Sequence, residues 1–277
     1  MNITEDILTE VIKKRAADSH KGTYGRALLL GGNRQYGGAI IMSAESCLQS
    51  GAGLVTVVTD EKNHSALHAR LPEAMVLNFR EIPLQKDLLA KTDVILIGPG
   101  LGLEYESLAL LSEILSKQKE NQWLIIDGSA ITLFANHTLA LNYPEHTIFT
   151  PHQMEWQRLS GLPIAQQVDA NNLIKQQELQ ATIVLKSHRT KIYDGKEIYH
   201  NTAGNPAMAT GGMGDTLAGM IAGFLAQFEK NTETIAAAVY LHSKIADDLA
   251  GDNYVVLPTN ISRELPKYMK KYATERN

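Results

Sequence analysis

Short unbroken apolar runs recur along the chain: RALLL at 26–30, LVTVV at 54–58, AMVL at 74–77, VILI at 94–97, WLII at 123–126, TIF at 147–149 and TIVL at 182–185. Between them lie stretches whose apolar residues repeat every three or four positions, the spacing of one helix face. These predict helices over 39–50, 64–71, 84–91, 106–118, 131–141 and 169–180. The strands are continuous rather than alternating, so both of their faces are expected to be covered, as in a parallel sheet between helical layers. Short helical connections suit right-handed crossovers. The predicted fold class is therefore α/β, with three layers and a central, mostly parallel sheet.

The ends of the chain read differently. Ile3, Ile7, Leu8, Val11 and Ile12 predict a first helix over 3–15 with Thr4 as its cap. After residue 186, KIYDG and EIYHN predict an antiparallel hairpin turning at Asp194-Gly195. Two long apolar helices follow, over 215–228 and 232–249, then a helix near 260–272 whose Lys267, Lys270 and Lys271 form a solvated face. No linker, repeat or low-complexity segment interrupts residues 1–277, which predicts a single domain.

Composition narrows the function. The chain has 277 residues, 44% of them apolar, and its 26 basic and 30 acidic residues leave a net charge of −4. No basic stripe marks a nucleic-acid or membrane surface. The single cysteine, Cys47, excludes a disulfide framework and a thiolate zinc site, and reads as a small buried helix residue. The acidic start MNITEDILTEVIKKR lacks the apolar core of a signal peptide, and no run is long enough to span a membrane, so a cytoplasmic location is expected.

In open parallel α/β sheets, ligands bind at the carboxyl ends of the strands. Those ends carry Gly31-Gly32-Asn33, Gly98-Pro99-Gly100-Leu101-Gly102, Asp127-Gly128, Pro151-His152 and Lys186-Ser187-His188-Arg189-Thr190. GPGLG is a tight turn or a backbone surface that a flat ligand can approach. It does not fit the G-x-G-x-x-G dinucleotide pattern, and no Walker A sequence is present. Asp127 either shapes its turn or meets Mg²⁺ through water. His152 is a surface loop residue or a group that stacks on or hydrogen-bonds to a polar ring. Residues 186–190 form a solvated turn or supply phosphate and ribose contacts.

The most informative stretch is NPAMATGGMGD at 205–215, just before a helix. Consecutive glycine amides form a concavity for an anion, and the helix start adds about half a positive charge. Asp215 is either a cap or a base. As a base, it would take a proton from a nucleophile while the amides of Gly211, Gly212, Met213 and Gly214 hold the transferring phosphoryl group. Asn205 reads as a turn former.

GGMGDTLAG resembles the G-x-G-D signature of ribokinase-like kinases. HKGTYGRALLLGGN, GGAIIMSAESCLQSGAGLVTV, VILIGPGLG, IIDGSA, FTPHQMEWQRL and NPAMATGGMGD, in that order, resemble the ADP- or ATP-dependent NAD(P)H-hydrate dehydratases over residues 20–260. The resemblance implies a ribokinase-like fold and repair of hydrated NADH or NADPH. It implies ADP (or ATP) as co-substrate with Mg²⁺, a homotetramer, and a separate epimerase as functional partner. It assigns the hydrate to Ala39, Gly102, His152 and Asp215. The adenine nucleotide falls to Lys186, Ser187, His188, Arg189, Thr190 and Gly214, with Asp215 as catalytic base. A small-molecule kinase of the same fold and a non-catalytic nucleotide sensor are the alternatives.

Overall fold

The computed structural model describes residues 1–79, 81 and 86–275. Ten strands form one sheet: β1 (Asn2–Ile3), β2 (Arg26–Leu30), β3 (Leu54–Thr59), β4 (Met75–Asn78), β5 (Val94–Ile97), β6 (Trp123–Ile126), β7 (Thr147–Phe149), β8 (Thr182–Leu185), β9 (Lys191–Tyr193) and β10 (Ile198–Asn201). Their order is β1-β10-β9-β8-β7-β6-β5-β2-β3-β4. From β8 to β4 every pairing is parallel, whereas β9 runs antiparallel to both β8 and β10. The expected hairpin is present. Asp194 Oδ1 accepts from the N–H groups of Lys196 and Glu197, and Gly195 takes the positive φ that the turn needs.

Continuous apolar strands imply two buried faces, and each strand divides between two cores. Leu29, Leu96 and Ile125 face one core. Their neighbours Leu28, Ile95 and Leu124 face the other. Onto the first face pack α1 (Asp6–Val11), α2 (Gly37–Gln49), α9 (Met213–Gln227), α10 (Thr232–Ala250) and α11 (Pro258–Tyr272). Onto the second pack α5 (Tyr105–Lys117), α6 (Gly128–Asn136) and α7 (Gln153–Ser160), with Trp156 fully buried. The remaining helices are α3 (His64–Arg70), α4 (Lys86–Lys91) and α8 (Asp169–Leu179). Leu84 and Gln85, the start of the predicted 84–91 helix, lie outside the described residues.

Two predicted helices change. The first does not begin at Ile3, because Asn2–Ile3 pairs with His200–Asn201 as an edge strand. Ile3 is buried as a strand residue whose four-residue spacing from Ile7 is coincidental. The helix expected over 131–141 stops at Asn136, and His137 turns extended. Leu139 and Leu141 still pack on the core without helical geometry, which is why their spacing looked helical.

One crossing fixes the site. Helix α9 lies on α2 at contact distance because Gly219 and Gly223 have no side chains. A Cβ at Gly219 would stand 2.1 Å from the Ser43 carbonyl, and one at Gly223 would stand 2.7 Å from the Cys47 carbonyl. Ser43 Oγ donates to the Asp215 carbonyl at 2.8 Å and Ser46 Oγ to that of Thr216 at 2.8 Å. Gly219→Ala should therefore force the two helices apart and cost about 1–3 kcal/mol. A thermal melt should fall by roughly 2–4 °C for each kcal/mol, and an unchanged midpoint would refute the tight crossing.

Candidate active site

The carboxyl ends of β8, β7, β6, β5 and β2 lie side by side, and the start of α9 comes over them. Gly212 adopts φ +96°, which lets the chain turn abruptly into the helix. The first intrahelical bond is from the Thr216 N–H to the Gly212 carbonyl at 2.9 Å. The N–H groups of Gly211, Gly212, Met213, Gly214 and Asp215 have no backbone carbonyl partner among the described residues, as a helix start requires. A Cβ at Gly211 would meet nothing within 4 Å. Gly211 therefore borders open space, while Gly212 lies against Met42, where a Cβ would stand 2.5 Å from the sulfur.

Lys186 reaches this helix start from the end of β8. Its Nζ would lie 3.0 Å from a Cβ on Gly214. It donates to Asp127 Oδ1 at 2.7 Å and stands 4.0 Å from Glu155 Oε2. Burial opposes the ammonium charge, but Asp127 and Glu155 outweigh it, and Asp215 adds to them, so its pKa is raised. Asp127, only 2% exposed at its side chain, also accepts from Thr150 Oγ1 at 2.6 Å. Both oxygen contacts are thus inside the protein, and Asp127 is an ion-pair partner rather than a turn former.

Burial pushes Asp215 up to about 6, with Asp127 adding to the rise and Lys186 opposing it. Burial likewise pushes Glu155 up to about 7, against the pull of Lys186. His152 is committed on one side. Its Nδ1 accepts from the N–H groups of Met154 and Glu155, both at 3.2 Å, so it caps α7 as a neutral ring. Glu155 Oε2 returns a bond to the His152 N–H at 2.8 Å, completing a reciprocal capping box. Burial first, then Lys186 and Arg158, lowers the His152 pKa. Its other ring nitrogen, Nε2, stands 3.5 Å from Glu155 Oε1 on the exposed side of the ring.

The glycine turn after β5 forms the adjoining wall. Gly98 (φ +127°) presses on the Asp127 carbonyl, where a Cβ would come within 1.7 Å. Gly100 (φ +60°) lies against the first turn of α2, with a hypothetical Cβ 3.0 Å from that of Ala39. The Gly102 N–H donates to Ser129 Oγ at 3.2 Å. Beyond Lys186, the turn residues Ser187, His188 and Arg189 are exposed, while Thr190 is buried. Arg189 Nη1 donates to the Gly204 carbonyl at 2.9 Å, tying the 186–190 turn to the glycine-rich loop, and Asn205 Nδ2 donates to Asp247 Oδ1 at 2.6 Å, tying that loop to α10. The structure thus brings Asp127, His152, Lys186 and the 211–215 stretch together at one edge of the sheet, with Ala39 reached through the Gly100 turn and through α2.

Glu155 and Thr150 are the partners that the sequence reading left out. Glu155 was legible as the third residue after a cap, an H-x-x-E version of the capping-box pattern. Thr150, a lone hydroxyl at a strand end, carries no such signal. Among the described residues no three His, Cys, Asp or Glu form a metal cage. The acids present fit Mg²⁺ delivered on a nucleotide, since that ion keeps water and phosphate ligands and takes only one or two carboxylates.

Residues 27–267 match the model of the NAD(P)H-hydrate dehydratase family. The chain belongs to that family. It is 63% identical over 271 residues to the ADP-dependent (S)-NAD(P)H-hydrate dehydratase of Enterococcus faecalis, covering 98% of this chain and 93% of that one. A ribokinase-like superfamily protein of Enterococcus faecalis has a solved structure that superposes with a TM-score of 0.96 at 62% identity, covering 98% and 96% of the two chains. The ADP/ATP-dependent NAD(P)H-hydrate dehydratase of Bacillus subtilis, co-crystallised with ATP and Mg²⁺, superposes with a TM-score of 0.86 at 30% identity, covering 97% of each chain. The expected α/β, ribokinase-like fold is the one observed.

The electrostatics give two tests. Asp215 has a folded pKa near 6 against an ordinary 3.8. Above pH 6 the folded state bears the full cost of its charge, and below the ordinary value it bears none. Asp215→Asn should therefore raise stability at pH 7.5 by about 1–2 kcal/mol, after allowance for the partial exposure of the group, and the gain should vanish near pH 4. Urea titrations at both pH values check this. Lys186→Met leaves Asp127 buried and unpaired, and should cost on the order of 3–5 kcal/mol at neutral pH. A wild-type urea midpoint would refute the ion pair.

Proposed function

We propose that this chain is an ADP-dependent dehydratase of (S)-hydrated NADH and NADPH. The observation that carries the reading is the meeting of Asp215, Lys186 and the amides of 211–215, which have no backbone carbonyl partner, at one helix start. Family membership and the likeness to the ADP-dependent (S)-NAD(P)H-hydrate dehydratase of Enterococcus faecalis support it.

The hydrate bears a hydroxyl on the carbon next to its ring nitrogen, and hydroxide leaves poorly. With its pKa near 6, Asp215 is mostly ionised at neutral pH and basic enough to accept the hydroxyl proton. The hydroxyl oxygen then bonds to the terminal phosphorus of ADP as the phosphoanhydride bond breaks, releasing AMP. Phosphate next leaves with the C–O bonding pair as the ring nitrogen supplies its lone pair. Loss of a proton from the neighbouring carbon forms the new double bond and restores the dihydropyridine. The amides of Gly211, Gly212, Met213 and Gly214 and the Lys186 ammonium lie where charge develops on the phosphoryl oxygens. Mg²⁺ would supply further charge neutralisation on the nucleotide phosphates. Ala39, Gly102 and the Nε2 side of His152 take the hydrate side. Ser187, His188, Arg189 and Thr190 take the nucleotide side. Because the hydrate forms as two epimers, the enzyme works beside a separate epimerase.

The test is incubation of the protein with chemically hydrated NADH plus ADP, following dihydronicotinamide absorbance and phosphate together. Both should rise in equal amounts, whereas a small-molecule kinase would release no phosphate. Asp215→Asn should lower kcat by about 10²–10⁴ while ADP still stabilises the fold. The kcat profile of the wild type should fall on the acid side with a midpoint near pH 6, as the base becomes protonated. Wild-type turnover by the Asn variant would overturn the assignment of Asp215.

A further inference from the structure

Beyond the glycine turn after β5 the described residues line a half-open cavity of about 720 Å³. That volume lies within the usual range of small-molecule sites, roughly 300–1,000 Å³. It begins where the glycine turn after β5 ends. A Cβ on Gly102 would stand 2.1 Å from Glu104 Oε2 and 2.6 Å from Asn33 Nδ2, and both Glu104 and Asn33 line the cavity. A ligand lying over Ala39 and Gly102 therefore runs directly into it.

The walls have a definite chemistry. Phe79, Leu101 and Leu110 supply apolar surface, and the start of α5 presents Tyr105, a residue 80% exposed, as an aromatic group on which a base can stack. Two cations, Arg34 and Lys62, face five carboxylates, Asp60, Glu61, Glu104, Glu106 and Glu113. Glu113 is paired with Lys117, which leaves four acids against two cations. Carboxylates accept hydrogen bonds from ribose hydroxyls and from an exocyclic amine. An extra phosphate on the ribose would meet net repulsion, the same discrimination an acidic residue performs at dinucleotide sites.

We infer that this cavity receives the adenosine half of the hydrated dinucleotide, and that its surplus of carboxylates makes the form without a 2′-phosphate the preferred substrate. The inference rests on the dehydratase reading above. Ala109 and Glu106 are exposed residues on the cavity wall, outside the phosphoryl-transfer machinery, so their substitution is not expected to disturb folding.

The experiment measures kcat/KM with hydrated NADH and hydrated NADPH, KM for ADP, melting temperature, and binding of NADH itself by its fluorescence. The wild type should favour the NADH hydrate by about fivefold or more. Ala109→Trp, which fills the space, should raise the hydrate KM and weaken NADH binding about tenfold, with KM for ADP and melting temperature unchanged. Glu106→Lys should shift the preference severalfold toward the NADPH hydrate. If Ala109→Trp leaves both hydrate KM and NADH binding at wild-type values, the cavity assignment is overturned. Equal wild-type kcat/KM for the two hydrates, or no shift with Glu106→Lys, overturns the charge preference. Should the wild type turn over neither hydrate while Ala109→Trp weakens NADH binding, the dehydratase reading falls and the cavity stands as a dinucleotide site.

Discussion

A single ammonium group organises the centre of this molecule. Lys186 sits among Asp127, Glu155 and Asp215, close against the first turn of α9. Three acids around one base leave the pocket short of positive charge, and burial sharpens that shortage. Asp127 takes the lysine as its hydrogen-bond partner, while burial raises the pKa of Glu155 and of Asp215. Asp215 is thereby left as a carboxylate that is both charged at neutral pH and unusually willing to accept a proton. The same deficit makes the entry of phosphate depend on cations brought with it.

The rest of the fold serves to keep that lysine and that helix start together. Lys186 ends β8, Thr150 follows β7, and Asp127 follows β6, so the parallel register of three neighbouring strands sets their spacing. The Lys186 N–H donates to the Pro151 carbonyl at 2.8 Å, extending the ladder one step beyond the strands themselves. A parallel sheet is suited to this task, because all its carboxyl ends lie along one edge.

The parallel sheet and its two cores were legible because strands buried on both faces have to be apolar, as β5 and β6 are throughout and β2 and β8 are after their first residues, Arg26 and Thr182. The helix start at Gly212 was legible because only glycine readily accepts its φ. The paired charges were less so. Asp127 follows a strand like many turn residues, and nothing in its neighbourhood along the chain points to Lys186, 59 positions away. His152 was legible as a site residue, but its capping role depends on how the chain enters α7, which residue type alone does not specify. The sequence pattern misled at Ile3 and at Leu139, where core packing without helical geometry imitates the helical repeat.

The crossing at Gly219 and Gly223 has a mechanical meaning as well. Helix α2 carries Ala39 in its first turn and α9 carries Asp215 in its own, and the two are joined backbone to backbone with hydroxyl clasps between them. They move as one yoke. Any shift of the first turn of α2 also carries the first turn of α9, so the spacing between Ala39 and Asp215 is set by backbone contact and not by side-chain adjustment. Adaptation to a new alcohol would have to come from the loops around this yoke, while the yoke itself keeps its gauge.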